Sequence, residues 1–190
     1  PGGTVDGLAE FGDAIFEARK KKKVYAQVSG TTASAALYAA SQADRIFAGR
    51  MDMVGSIGTR LMLYDFSKYF DNLGIKAIPI DTGPIKSAGA MGTEITADQQ
   101  AYFQDMVNSY FEDFIGVVSR GRNMSKSEVR KLADGRMFMA TDAVKNGLID
   151  GIQTLEETVG KLNARYKAGR VAAQQLQRME LTTREASLGL

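Results

Sequence analysis

Histidine and cysteine are both missing from this chain of 190 residues. Their absence excludes a Ser-His-Asp triad, a Cys-His pair, a histidine-ligated zinc and a disulfide framework. Charge of one sign is not in excess either: 24 Lys and Arg against 22 Asp and Glu give a formal net charge of +2. That balance is too small to argue for nucleic acid or a membrane surface as partner. No apolar run approaches the roughly 18 residues of a membrane span, and no signal-peptide pattern opens the chain. Membrane association is therefore expected only through residues absent from this chain. Zero cysteine fits any compartment. A serine nucleophile here needs a base other than histidine: a lysine, an N-terminal amine or a carboxylate, of which lysine is the attested partner.

The length supports one domain with a sizeable core and an appended arm. Pro1-Gly2-Gly3 is loop chemistry, and Val5, Leu8, Phe11 and Ile15 then recur at helical spacing. A glycine-rich turn entering a helix normally follows a strand, so upstream strands are expected to be missing. The helix ends in Arg19-Lys20-Lys21-Lys22-Lys23, where cations suit a helix C-terminus. Val24–Val28 reads as a strand, Ala33–Ala43 as a small-residue helix, and Arg45–Ala48 as a second strand parallel to the first. Further strands are expected through Leu61–Leu63, over Ile75–Ile80 and over Leu148–Asp150, with a helix over Asp65–Leu73 between the first two. Thr96 followed by Gln99, and Ser125 followed by Glu128, are N-cap signatures; the first opens a long amphipathic helix through Val117. Asn146-Gly147 is expected to end a short helix begun at Thr141. From Lys161 the composition turns basic and Gln-rich, which divides the chain into a domain over residues 1–160 and a partly helical arm over 161–190.

Three residues carry candidate chemistry. Ser34 lies in Thr32-Ala33-Ser34-Ala35-Ala36, where small neighbours let a substrate backbone approach. Ala35 N–H is the natural oxyanion donor, with Gly2 or Gly3 offering a second. Lys86 lies in a glycine-flanked loop, and Ser56 lies between Gly55 and Ile57-Gly58. A lysine acts as base only when neutral, which demands desolvation or a nearby cation that brings its pKa to about 7–8. Each residue also has a plainer reading: a helix cap for Ser34, a solvated lysine for Lys86, a turn residue for Ser56. Periodicity and spacing alone reach no further than an α/β domain.

Together, however, the segments resemble the signal peptide peptidase A family of Ser/Lys-dyad serine peptidases over roughly residues 1–160. Pro1-Gly2-Gly3 is similar to the family's Ser-Pro-Gly-Gly turn without its serine, and Thr32-Ala33-Ser34 with Tyr38 to the nucleophile segment. Asp44-Arg45-Ile46-Phe47-Ala48 and Gly55-Ser56-Ile57-Gly58 resemble two further elements. Gly83–Gly89 resembles the lysine loop, and Gly135-Arg136-Met137-Phe138 with Ala143 and Gly147-Leu148-Ile149-Asp150 the closing motif. Ala35-Ala36 stand where the family usually has Gly-Gly. The resemblance implies a ClpP/crotonase-like α/β fold of stacked parallel strands and helices, assembled as homo-oligomeric rings. It implies Ser34 as nucleophile, Lys86 as general base and then acid, and Ser56 as the residue orienting the lysine. Gly3 and Ala35 N–H groups would form the oxyanion hole, and no cofactor or metal would be needed. The implied substrates are extended peptides such as remnant signal peptides, and the implied place is membrane-associated or extracytoplasmic. A phage prohead maturation protease of the same fold, acting in the cytoplasm or in virion assembly, is the alternative, and a non-catalytic assembly protein is another. A crotonase-type acyl-CoA enzyme ranks third, since a Ser/Lys pair has nothing to do in that chemistry.

Overall fold

The computed structural model describes residues 1–188, with side chains to residue 180. After α1 (Leu8–Lys21) the chain lays down β1 (Tyr25–Gln27) and β2 (Thr31–Ala33), turns into α2 (Ala35–Ala40), and repeats the pair as β3 (Arg45–Ala48) and β4 (Met53–Gly55). Then come α3 (Ser67–Asn72), α4 (Ala97–Arg122), α5 (Lys126–Leu132), β5 (Met137–Met139), α6 (Ala140–Lys145), β6 (Gly151–Ile152) and α7 (Leu155–Leu188). The first four strands alternate between two sheets. One sheet has the order β1-β3-β6, all parallel; the other has β2-β4-β5, with β2 and β4 parallel and β5 antiparallel. The chain therefore climbs in a superhelix, adding one strand to each sheet per turn.

Aspartates fix the corners of this climb. Asp52 accepts from Gly30 N–H at 2.9 Å and from Gly49 N–H at 2.7 Å, tying one corner to the next. Asp44, one residue before β3, accepts from Val24 N–H beside β1 at 2.9 Å. Asp150, one residue before β6, accepts from Ile46 N–H of β3 at 2.8 Å in the same way. These bonds satisfy backbone donors that the short strands leave unpaired.

Leu37, Ile46, Val54, Ile57, Ile115, Val118, Val129 and Leu148 are fully buried between the sheets, α2 and the C-terminal half of α4. Each such side chain contributes about 1.5–3 kcal/mol when removed from water. Both expected N-caps form as reciprocal capping boxes, Thr96 with Gln99 and Ser125 with Glu128, and Gly147 follows α6 with φ 83°. Asn123 closes α4 at φ 55°.

Several expectations need correcting. Thr31–Ala33 is a strand, so the small-residue helix starts at Ala35 rather than at Ala33. Leu61–Leu63 and Ile75–Ile80 are not strands, because no neighbouring strand offers their backbone a ladder; Ile78 is 73% and Ile80 95% exposed. The last strand lies at Gly151–Ile152, just beyond Leu148–Asp150, while β4 and β5 went unforeseen. Residues 58–95 instead form an arm laid along α4, held by a 2.8 Å bond from Thr59 Oγ1 to Val107 O and a 2.9 Å bond from Gln99 Nε2 to Pro84 O. Within the described residues, no helix is long and apolar enough to cross a membrane.

Candidate active site

Ser34 sits at the joint between β2 and α2. Its N–H donates to Gly55 O at 3.0 Å, as the parallel β2–β4 ladder requires, and its carbonyl accepts from Tyr38 N–H at 2.9 Å. Satisfying both the strand and the helix forces φ 52° and ψ −124° on a non-glycine residue. Such a backbone costs on the order of 1–3 kcal/mol and is the geometry of a nucleophile held out on a sharp strand-to-helix turn. The hydroxyl makes no cap bond to α2, which removes the plainer reading of Ser34 as a cap.

The glycine turn at the chain start lies against this joint. Gly2 has φ 140°, and a Cβ there would stand 3.1 Å from Ser34 Cβ and 3.6 Å from its Oγ. A Cβ on Gly3 would stand 3.9 Å from Ala35 Cβ. Ser56 follows β4 as Ser34 follows β2, since Ala33 and Gly55 are register partners. Adjacent strands run about 4.8 Å apart, so the two serines emerge side by side. Ser56 has φ 50° and donates its N–H to Arg136 O at 2.8 Å. Gly55 is obligatory before it: at φ 141°, a Cβ would come within 2.6 Å of Arg136 O. Ser34, Ala35, Ser56 and Gly3 are thus brought together from positions spread over the first 56 residues of the sequence.

Lys86 is placed elsewhere. It is exposed on the arm, along an open groove of about 530 Å³ that it shares with Tyr102, Phe103 and Met106 of α4. Its backbone N–H donates to Gly83 O at 3.2 Å, while its side-chain amine makes no hydrogen bond or ion pair among the described residues. No cluster of three or more metal-ligating side chains occurs among the described residues.

What holds the joint rigid is the docking of α2 on α4, which the sequence did not announce. Tyr38 is buried, packs its ring 5.4 Å from that of Phe114 at a tilt of 55° and donates its hydroxyl to Asp113 at 2.7 Å. Burial, then that carboxylate, push the Tyr38 phenol well above its ordinary range. Gln42 donates to Val117 O at 2.8 Å and to Ser41 Oγ at 2.7 Å, and accepts from Arg120 Nε at 3.0 Å. The helices approach so closely that Gly121 touches the Ser41 carbonyl; a glycine between two arginines inside a helix was the one available signal.

This arrangement has known counterparts. The family model described as Peptidase family S49 matches residues 17–169. A putative protease of Methanocaldococcus jannaschii is 35% identical over 162 residues, covering 85% of this chain and 52% of that protein. A putative signal peptide peptidase SppA of Enterococcus faecium is 31% identical over 171 residues, 88% of this chain and 49% of that one. A head-tail preconnector protein of an Enterobacteria phage is 24% identical over 200 residues, 98% of this chain and 40% of that one. The chain thus spans about half the length of these curated relatives, or less. Among solved structures, a mutant of the 1510-N membrane-bound stomatin-specific protease superposes with a TM-score of 0.54 at 16% identity, over 85% of this chain and 64% of that one. That likeness concerns the fold, and it agrees with the ClpP/crotonase-like α/β arrangement expected from the motifs. With the match extending over most of its length, this chain belongs to peptidase family S49 and is a relative of the SppA peptidases.

Proposed function

We propose that the chain is the catalytic portion of a serine endopeptidase that cleaves extended peptides, with Ser34 as nucleophile and Lys86 as its base. The observation that carries this reading is the strained Ser34 backbone, retained beside Ser56 and the Gly2-Gly3 turn although a glycine would sit there without cost. Ser34 Oγ attacks the scissile carbonyl carbon, and its proton passes to the Lys86 amine. The oxyanion is held by the N–H groups of Ala35, the first residue of α2 and so without an intrahelical acceptor, and of Gly3. Collapse of the adduct returns the proton to the leaving amine, and water then repeats the sequence on the acyl-serine. Ser56 hydroxyl orients the lysine amine.

Lys86 reaches Ser34 from a neighbouring copy. Its loop rests near Phe103 and Met106, whereas Tyr38, one turn into α2 from Ser34, docks at Asp113 and Phe114, roughly 10–16 Å further along the same helix at 1.5 Å per residue. The arm that bears it also exposes Met62, Tyr64, Tyr69, Ile78 and Ile80, an apolar surface suited to covering another protomer in a ring. Remnant signal peptides are the substrates proposed first. A capsid-maturation role is the second reading, favoured by the similarity to a phage preconnector protein along nearly the whole chain.

Hydrolysis of a fluorogenic peptide library tests the proposal. Cleavage should fall by about 10³-fold or more in both Ser34→Ala and Lys86→Ala. Cleavage that survives Ser34→Ala, or that is indifferent to Lys86→Ala, would overturn the assignment.

A further inference from the structure

The helix α7 leaves the body after its first turns and carries features that no step of peptide hydrolysis uses. Its start is anchored: Thr154 and Glu157 cap it reciprocally, and Thr158 is buried, joining Gln27 of β1 to Gln153. From Asn163 to Glu180 every residue is exposed. Along α7, Val159, Leu162, Tyr166, Gly169, Ala173 and Leu176 follow one another at alternating spacings of three and four. That is the seam of a helix that pairs with another helix. Tyr166 is 65% and Leu176 61% exposed. Gly160 and Gly169 each weaken a helix by about 1 kcal/mol relative to alanine, so a lone helix of this composition gains little stability of its own.

Charge identifies what covers the seam. Between Glu157 and Glu180 there is no acid, whereas Lys161, Arg165, Lys167, Arg170 and Arg178 are all basic. Arg165 and Arg170 occupy the flanking positions that meet across a parallel pair, so a second copy in register would set arginine against arginine. An antiparallel copy supplies no acid over the same stretch either. Anionic lipid or nucleic acid would answer the charge but not the narrow seam, in which Gly169 and Ala173 leave room for large apolar side chains of a partner. We infer that α7 is a docking helix for an acidic amphipathic helix of another protein, with apolar residues at heptad spacing flanked by Glu or Asp. This surface is separate from the Ser34 site and does not depend on the chain being a peptidase.

The test uses the full chain and labelled synthetic helices of about 25 residues, long enough to span the seam. One has Leu and Val at the seam positions with Glu flanking them, one has Lys in place of Glu, and one is a scramble of the acidic peptide. The acidic peptide should bind with a gain in helical circular dichroism and weaken with salt. Binding should fall at least about tenfold for Tyr166→Ser with Leu176→Ser, and likewise for Arg165→Glu with Arg170→Glu, since several seam and flanking contacts are lost at once. The charge-reversed chain should instead take up the Lys peptide. All substituted residues are exposed, and an unchanged unfolding transition of the body verifies folding. The inference is overturned by absence of binding, or by equal binding of the scramble. It is equally overturned if the chain dimerises through these residues, or if anionic vesicles or duplex DNA compete the peptide away through them.

Discussion

At the scale of the residue, Ser34 shows how two hydrogen-bonded elements can force strain onto the residue that joins them. The β2–β4 ladder fixes its N–H on Gly55 O, the first turn of α2 fixes its carbonyl on Tyr38 N–H, and φ 52° is what remains. Glycine populates that region without the side-chain penalty. Ser34→Gly should therefore raise the stability of the chain by about 1 kcal/mol while removing peptide hydrolysis altogether. Paired chemical unfolding and peptidase assays would show the two effects moving in opposite directions; a destabilised Ser34→Gly would mean that the turn is not strained. The motif around Ser34 was readable in the sequence. That its hydroxyl is released from capping, and that Gly2 must lack a Cβ to let it stand free, depends on chain segments that the sequence separates by some thirty residues.

At the scale of the element, two features decide whether the site is held. The first is the crossing of α2 and α4. A Cβ on Gly121 would drive into the Ser41 carbonyl and the Gln42 amide, both fixed in the interior. Gly121→Ala should cost about 3 kcal/mol or more, at the upper end of overpacking effects because backbone rather than a flexible side chain must give way. Thermal unfolding would register it, and an unchanged transition would show that the helices are not so closely seated. The second is the aspartate ladder. Burial alone would raise the Asp150 pKa, but hydrogen bonds from Arg122, Ile46 N–H and Arg45 outweigh it and hold the carboxyl below its usual range. Asp44 is also held low: burial opposes this, and bonds from Lys23 and Val24 N–H prevail. A carboxyl whose folded pKa lies below the unfolded value of about 3.9 stabilises the fold above that pH. The contribution is lost as pH falls through the folded pKa. Stability should decline below about pH 4, and Asp150→Asn should flatten that decline while lowering stability at neutral pH. Denaturant melts across an acid pH series would measure both. The aspartate of the Asp-Arg-Ile motif that marks the family thus acts structurally, splicing one strand onto the previous one.

At the scale of the whole molecule, the arm and Lys86 carry the decisive question. If Lys86 serves the Ser34 of a neighbouring protomer in a ring with head-to-tail contacts, inactive Ser34→Ala and Lys86→Ala chains should complement each other. Random mixing would restore roughly a quarter of the sites, those where an intact serine meets an intact lysine. Peptidase activity of the mixture after dissociation and reassembly measures this. No recovery in mixtures shown to be co-assembled would place the lysine on its own protomer's serine.

The sequence by itself determined the local events of this protein: both capping boxes, the glycine end of α6 and the strand–helix–strand run that gives the parallel β1–β3 pair. Lack of histidine and cysteine excluded histidine-based triads and disulfides before any fold was known. These were legible because caps, turns and excluded chemistries depend on residues within a few positions of one another. Tertiary structure decided which strands exist at all. Ile75–Ile80 has the apolar pattern of a strand, yet no strand forms without a partner to complete its ladder, whereas Met137–Met139 becomes one only because β4 lies beside it. It also decided which candidates meet. Ser34 and Ser56 are neighbours because register pairs Ala33 with Gly55, while Lys86 lies out on the arm. Pairing and packing are properties of distant segments, and no local pattern encodes them.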